Sequence, residues 1–151
     1  MRTPGPPWWC GLLHPPGSTA AYGQMPLPIS ADRFPFQFRG RTIKTADIEV
    51  FALLSTGATL TSLTVLLTPA PWPPPAMPPV PPVPPAPNPS TDAVSLSAQP
   101  LFGTSALYGV RAQQSPTAVP QLWWLSLAAA DLADVTAQVA DFFVMFHYSV
   151  T

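Results

Sequence analysis

Apolar and polar residues alternate along much of this chain, and a period of two is typical of half-buried β-strands. The first alternating run contains three phenylalanines, Phe34, Phe36 and Phe38. A second run begins at Ile48 and ends at Leu54, after Gly40 and a short connection. The pattern therefore predicts two strands, with the phenylalanines in the core and the intervening arginines facing outward.

Later segments predict the remaining strands. Residues 94–98 alternate, and residues 101–110 give a weaker strand signal. Residues 121–127 are apolar on both faces, which indicates a central strand buried on both sides. Residues 142–150 close the chain as a strand, whereas residues 128–140 fit either a helix or an irregular crossover.

The longest uncharged stretch, from Val50 to Thr68, has the length of a membrane-spanning helix. Hydroxyl residues and Gly57 interrupt its middle, and β-branched residues fill its second half. Two strands around a turn at Thr56 and Gly57 fit this composition better, because glycine supplies the positive φ that such turns require. We therefore do not expect the chain to insert into a membrane.

Proline concentrates between residues 69 and 89. Proline lacks a backbone donor and fixes φ, so this tract is not expected to join a sheet or a helix interior. We interpret residues 69–90 as a Pro-rich insertion within a domain of residues 27–151. A ligand for SH3-like or WW-like domains is the alternative, but no Lys or Arg flanks the tract to orient such docking.

Residues 1–26 are interpreted as a disordered or extended lead-in. Their apolar run from Trp8 to Leu13 is too short and too interrupted for a convincing signal peptide. Seven or so short strands without regular intervening helices complete the prediction. The expected fold is mainly β, an antiparallel β-sandwich of about seven strands with a long Pro-rich loop and at most one short helix.

Charge and cysteine content exclude several classes of function. The chain has six basic and seven acidic side chains, so there is no basic excess to support general nucleic-acid binding. A surface with so few charges suits a domain that is covered by partners. The single cysteine, Cys10, forms no internal disulfide and no cysteine-based metal site.

Catalytic chemistry is difficult to build from these residues. Of the two histidines, His14 lies in the lead-in and His147 lies on the last predicted strand, where a structural role is the stronger interpretation. The carboxylate pairs, Asp47 with Glu49 and Asp131 with Asp134, have the spacing of ordinary solvated charges. No metal-ligand spacing or phosphate-binding glycine loop is present. We expect no enzyme activity, no cofactor and no metal.

Four of the six basic residues lie close together in sequence, interleaved with phenylalanines. They are Arg33, Arg39, Arg41 and Lys44. A single-stranded nucleic-acid site needs aromatic rings and charges on the same exposed face. The predicted alternation places them on opposite faces, so we expect an outer basic stripe along an edge strand instead.

The segment Leu27-Pro-Ile-Ser-Ala-Asp-Arg-Phe-Pro-Phe-Gln-Phe-Arg-Gly-Arg-Thr-Ile43, followed by the strand Asp47–Phe51, resembles the C-terminal region of insecticidal Tc toxin A components. The closing segment Val139–Val150, with its His-Tyr-Ser ending, resembles the end of the same region. In that family the region binds the toxin's B component. The resemblance implies a secreted toxin assembly with a role in virulence, although the residues themselves predict no location.

The sequence thus predicts a non-catalytic protein-docking module, similar to the B-component-binding domain of Tc toxins. Its partner-binding residues are expected to be Arg39, Arg41, Lys44, Trp123 and Trp124, the tryptophans only if their rings are exposed. A carbohydrate-binding β-sandwich, an accessory fragment of a hydrolase and a detached gene fragment remain alternatives. Membership of a homo-oligomeric assembly stays open.

Overall fold

The computed structural model describes residues 20–75, 82–99 and 106–151. These residues form eight β-strands, which are β1 (Tyr22–Ile29), β2 (Ile43–Leu54), β3 (Leu63–Ala70), β4 (Ala93–Ala98), β5 (Leu107–Ala112), β6 (Thr117–Ala118), β7 (Gln121–Ala128) and β8 (Val139–Val150). The α-helices of the described residues are α1 (Pro89–Asp92) and α2 (Leu132–Gln138). Three short 3₁₀ turns lie at Ala31–Arg33, Phe36–Phe38 and Ala129–Asp131.

All strand pairs are antiparallel, and the order across the sheet is β1-β7-β3-β4-β5-β2. β2 then pairs with β8 along its length and with the short β6 near Lys44. β4 links the two halves, because its first residues pair with β3 and its last residues pair with β5. The prediction of a mainly β, antiparallel fold is confirmed. This pairing gives one linked sheet of eight strands, so the expected sandwich is not confirmed.

The core lies between the two halves of the sheet. It combines Met25 from β1 and Leu125 and Leu127 from β7 with Val50 and Phe142 from β2 and β8, all at most 6% exposed. β7 is buried on both faces, as its continuous apolar sequence predicts. Along β2 and β8, alternate side chains therefore point into the core, and the side chains between them face outward.

The first predicted strand is wrong. The segment with the three phenylalanines forms two 3₁₀ turns, and Phe36 is 79% exposed rather than part of the core. Pro35 precedes the second turn, and Gly40 ends the segment with a φ of +78°. The 3₁₀ turn after Pro35 and the left-handed Gly40 bend the backbone, so the segment forms a loop and no ladder, although its apolar period fits a strand.

Other boundaries also differ from the sequence analysis. β1 starts at Tyr22, so the proposed lead-in of residues 1–26 extends too far, while its residues 1–19, with Cys10 and His14, lie outside the described residues. The described residues contain two α-helices rather than at most one. α1 has Asn88 as N-cap, whose side chain accepts the N–H of Ser90 at 3.0 Å. The weak strand predicted at residues 101–110 is β5, and its residues 101–105 also lie outside the described part.

Prolines enter the sheet where one side of a strand has no partner. Pro26 and Pro28 lie in β1, which pairs only with β7 and forms one edge. Pro69 lies in β3 beyond the point where the ladder with β4 ends. The expectation that the Pro-rich tract stays outside the sheet is therefore wrong at its first two residues, Pro69 and Ala70, because a proline costs no hydrogen bond at an unpaired side.

The described part of the Pro-rich tract after residue 81 lies beside β1. Gln24 donates from Nε2 to the carbonyl oxygen of Pro85 at 2.9 Å and to Oγ of Ser126 at 3.2 Å. Residues 76–81 of the tract lie outside the described residues. Its end is attached to β3, since Asp92 accepts a hydrogen bond from the Thr68 hydroxyl at 2.8 Å.

The uncharged stretch from residue 50 to 68 contains the end of β2, a turn and the start of β3. Gly57 in that turn has a φ of +80°, which confirms the predicted role of its glycine. Among the described residues, no helix is both long and apolar enough to cross a membrane.

Candidate functional site

Residues 30–42, which we name the basic loop, connect β1 to β2 on the surface. The loop is closed by short backbone bonds, such as Phe38 N–H to the Pro35 carbonyl at 2.9 Å and Arg41 N–H to the Phe38 carbonyl at 3.1 Å. At its end, Thr42 and Thr151 exchange two backbone hydrogen bonds of 3.1 and 3.0 Å. The loop is thereby attached to the end of β8.

Two of the three phenylalanines hold the basic loop against the sheet. The rings of Phe34 and Phe38 meet the ring of Tyr148 edge-on, with centroids 4.9 and 6.0 Å apart. Such edge-to-face pairs contribute roughly 0.5–1.5 kcal/mol each beyond the area they bury. Phe36 lies between these two anchors in sequence and is the aromatic residue that the loop presents to solvent.

Phe36 is surrounded in sequence by exposed basic side chains. Arg33, Arg39, Arg41 and Lys44 are all exposed. Within the described residues, the ion pairs involve only Arg111 and His147 as bases, so none of these four groups forms an ion pair. The loop's own carboxylate, Asp32, accepts a hydrogen bond from the Ser30 hydroxyl, which is the main cause of its lowered pKa.

This geometry changes one argument of the sequence analysis. The exclusion of a nucleic-acid platform rested on Phe and Arg side chains facing opposite ways, and Phe36 and Arg39 are instead exposed on the same loop. A platform for single strands, however, uses several aromatic rings on which successive bases stack. Phe34 and Phe38 contact Tyr148, so the loop offers one exposed ring.

The two predicted tryptophans have different environments. Trp124 is 4% exposed, so its ring is not available to a partner, which corrects its assignment as a binding residue. Trp123 is half-buried, and its Nε1 donates to the Gln121 side chain at 3.1 Å. The other expected residues, Arg39, Arg41 and Lys44, are exposed and lie together at the basic loop and the start of β2.

A second surface lies on the outer face of β2, β5 and β8, where the strand pairing brings apolar side chains together. Phe51 is opposite both Gly109 on β5 and Phe143 on β8. Phe143 and Met145 are 46% and 53% exposed, and with Leu107 they line a groove of about 540 Å³. We name this set, Phe51, Leu53, Leu107, Phe143 and Met145, the outer apolar patch. The sequence predicts a strand at residues 142–150 but not this patch, because the members of the patch come from three strands.

An ionic cluster borders the outer apolar patch. Arg111 donates from Nε to Asp47 at 2.7 Å, with Nη2 at 2.6 Å, and its Nε lies 4.0 Å from Glu49. The hydrogen bond from Arg111, together with one from the Gln114 backbone, lowers the pKa of Asp47. On the other side, His147 Nε2 lies 3.2 Å from Glu49 Oε1. The alternation of Asp47 and Glu49 gave a signal for this face, but only the strand register reveals Arg111 as their partner.

The ionic cluster lacks the arrangement of a catalytic site. His147 Nε2 faces a carboxylate and has no hydrogen-bond partner, so no nucleophile stands within reach of that nitrogen. Asp47 is already neutralised by Arg111, which suits a structural ion pair across two strands. Over residues 20–75, 82–99 and 106–151, no group of three or more metal-ligating side chains was found.

Known proteins give no further guide. The chain matches no family model, and no match was found among curated proteins or solved structures. The resemblance to Tc toxin A components therefore rests on the sequence motifs alone.

Proposed function

We propose that this chain is a non-catalytic protein-docking module that binds the acidic surface of a partner protein through its basic loop. The observation that carries the proposal is the exposure of Phe36, 79% accessible on a loop whose neighbouring aromatic side chains are held in place. Exposed aromatic and Arg residues are the side chains that most often dominate binding energy at protein interfaces.

The anchoring of the basic loop lowers the cost of binding. Phe34 and Phe38 contact Tyr148 before any partner arrives, and the strand-like pair of Thr42 and Thr151 fixes the loop's end. A preorganised loop loses less conformational entropy when it docks than a mobile one. Phe36 can then enter an apolar pocket of the partner while the arginines set the orientation.

The exposed basic side chains of the loop and of Lys44 indicate that the partner surface is acidic. Arg33, Arg39, Arg41 and Lys44 are exposed and form no ion pair in the described part of the chain. A partner with an acidic rim around an apolar pocket would complement them, and such charges mainly raise the association rate and the specificity. By the sequence resemblance, the proposed partner is a protein like the B component of Tc toxins.

A binding measurement with a Tc toxin B component tests the proposal. The folded chain should bind with a dissociation constant in the micromolar range or tighter, and Phe36→Ala should weaken binding at least about tenfold, as expected for an interface anchor. The double change Arg39→Glu and Arg41→Glu should slow association and reduce its dependence on salt.

Val83→Ala is the matched control, because Val83 is an apolar side chain that is 84% exposed and lies outside the basic loop. Its binding should equal that of the original chain. No binding by the folded chain, or equal binding by Phe36→Ala and Val83→Ala, would refute the proposal. Preferential binding of a single-stranded oligonucleotide that depends on Phe36 and Arg39 would also refute it, in favour of a nucleic-acid site.

The carbohydrate-binding alternative loses its main support. Stacking on sugars needs exposed aromatic rings, and Trp124 is buried; Tyr148 is 45% exposed, but two phenylalanine rings already meet its ring edge-on. The Trp123 ring is half-buried beside the Gln121 side chain. The docking proposal needs none of these rings and uses the most exposed aromatic side chain of the described residues instead.

A further inference from the structure

The two edges of the sheet differ in how they are protected. β1 carries Pro26 and Pro28, which offer no backbone donor to an incoming strand. β8 is 12 residues long, pairs only with β2 and contains no proline. A long, apolar edge without such protection is a site at which another strand can add.

The sequence of β8 is complementary to itself in the antiparallel direction. Its outward-facing residues include, in order, Asp141, Phe143, Met145 and His147. When two copies pair about a two-fold axis at Val144, Asp141 lies opposite His147 of the other copy, and Phe143 lies opposite Met145. Both kinds of pair therefore occur twice, and none of them brings like charges together.

We propose that β8 is a homodimerisation surface, on which a second copy of this chain adds its own β8 in the antiparallel direction with Val144 on the two-fold axis. The pairing joins the two outer apolar patches into one surface, because Phe143 and Met145 stand at the edge of each patch. This surface is separate from the basic loop, and the proposal does not depend on the docking function.

Neighbouring groups are compatible with this register. Asp141 accepts only the N–H of Phe142 through Oδ1, at 2.8 Å, and His147 has Glu49 of its own chain at 3.2 Å. Beyond His147, the rings of Phe34 and Phe38 contact Tyr148, so the new ladder ends there. One ladder of residues 141–147 makes a small interface, and we expect a dissociation constant on the order of 10 µM.

Sedimentation equilibrium of the full chain over a range of concentrations measures this dimer. Met145→Lys should raise the dissociation constant at least about tenfold, because it places a charge opposite Phe143 of the partner copy. Ala130→Lys is the control, since Ala130 is exposed in a 3₁₀ turn that is not part of the β8 ladder, and it should leave the constant unchanged. Circular dichroism establishes that each variant is folded.

Cross-linking tests the register independently of stability. In a Cys10→Ser background, a mixture of Phe143→Cys and Met145→Cys chains should form disulfide-linked dimers under mild oxidation by copper phenanthroline. Either chain alone should cross-link several-fold less, because identical positions lie diagonally, about 7–8 Å apart, rather than opposite. A monomer at all concentrations, a Met145→Lys dimer as stable as the original, or equal cross-linking in the mixed and single samples would overturn the proposal.

Discussion

Gly109 and Phe51 form a contact from which a stability change can be worked out. Gly109 lies opposite Phe51 across β5 and β2. A Cβ atom added at Gly109 would stand 2.5 Å from Cδ1 and 2.7 Å from Cε1 of the Phe51 ring. Such distances are about 1 Å shorter than the optimum between carbon atoms, so the ring or the backbone must move. We expect Gly109→Ala to destabilise the fold.

The magnitude follows from two opposing effects. Overpacking of this kind costs about 1–3 kcal/mol of unfolding free energy. Replacing glycine by alanine inside a strand would otherwise gain about 0.5–1 kcal/mol, because glycine loses more backbone entropy on folding. In a Phe51→Ala background the ring is absent, so Gly109→Ala should be neutral or slightly stabilising. The entropy gain is the same in both backgrounds and cancels, so the coupling between the two changes is expected to equal the overpacking cost of about 1–3 kcal/mol.

Urea unfolding of the four chains in this double-mutant cycle measures the coupling directly. Phe51→Ala alone should cost about 3 kcal/mol, because Phe51 is only 9% exposed. If Gly109→Ala destabilises the Phe51→Ala chain as much as the original chain, the cost has another origin. That result would refute the packing of Phe51 on Gly109, and with it the centre of the outer apolar patch.

Three further predictions concern the core, the ionic cluster and the basic loop. Leu125→Ala should lower the unfolding free energy by about 2–5 kcal/mol, because Leu125 is fully buried, while Phe36→Ala should change it by less than about 0.5 kcal/mol; chemical denaturation measures both. Asp47→Asn should destabilise the fold at pH 7 and flatten its acid dependence. Because the pKa of Asp47 is lowered in the folded chain, its ionised carboxylate contributes fully to the free energy of unfolding above its usual pKa near 4. This contribution is lost as pH falls through the lowered native pKa. The free energies of unfolding of Asp47→Asn and of the original chain should therefore converge in strong acid. Phe36→Ala should bind the partner more weakly than the original chain although its unfolding free energy is nearly unchanged. Titration calorimetry measures the affinity of both chains, and denaturation measures their stability. Equal losses of binding and stability would contradict an anchor role.

The sequence predicted correctly those strands in which the spacing of apolar residues matches the faces that are buried in the fold. β7 reads as a central strand because both of its faces are covered, and the last strand was predicted from residues 142–150 of β8. The turn at Gly57 followed from a local requirement for positive φ. In these elements the local preference and the final packing point the same way.

The basic loop could not be predicted from its period. The alternation of Phe34, Phe36 and Phe38 fits a strand as well as a turn, and the two outer rings are half-buried against Tyr148, more than 100 residues later in the chain. The same limit applies to Trp124, whose burial depends on its strand lying between β1 and β3. Long-range pairing, rather than composition, decides which of these aromatic side chains a partner can reach.

The two proposed surfaces constrain each other through Tyr148. This residue braces the basic loop and follows His147, the last residue of the proposed dimer ladder. With Val144 on the two-fold axis, the two copies of Tyr148 lie eight residues apart along the paired strands, which is roughly 27 Å at an antiparallel strand rise of about 3.4 Å per residue. The two basic loops would then stand on opposite ends of the shared ladder and bind two partners, or two sites of one assembly. Such a bivalent dimer should bind a repeated acidic surface more tightly than a Met145→Lys monomer with the same loop, because the second contact is made at a high effective concentration.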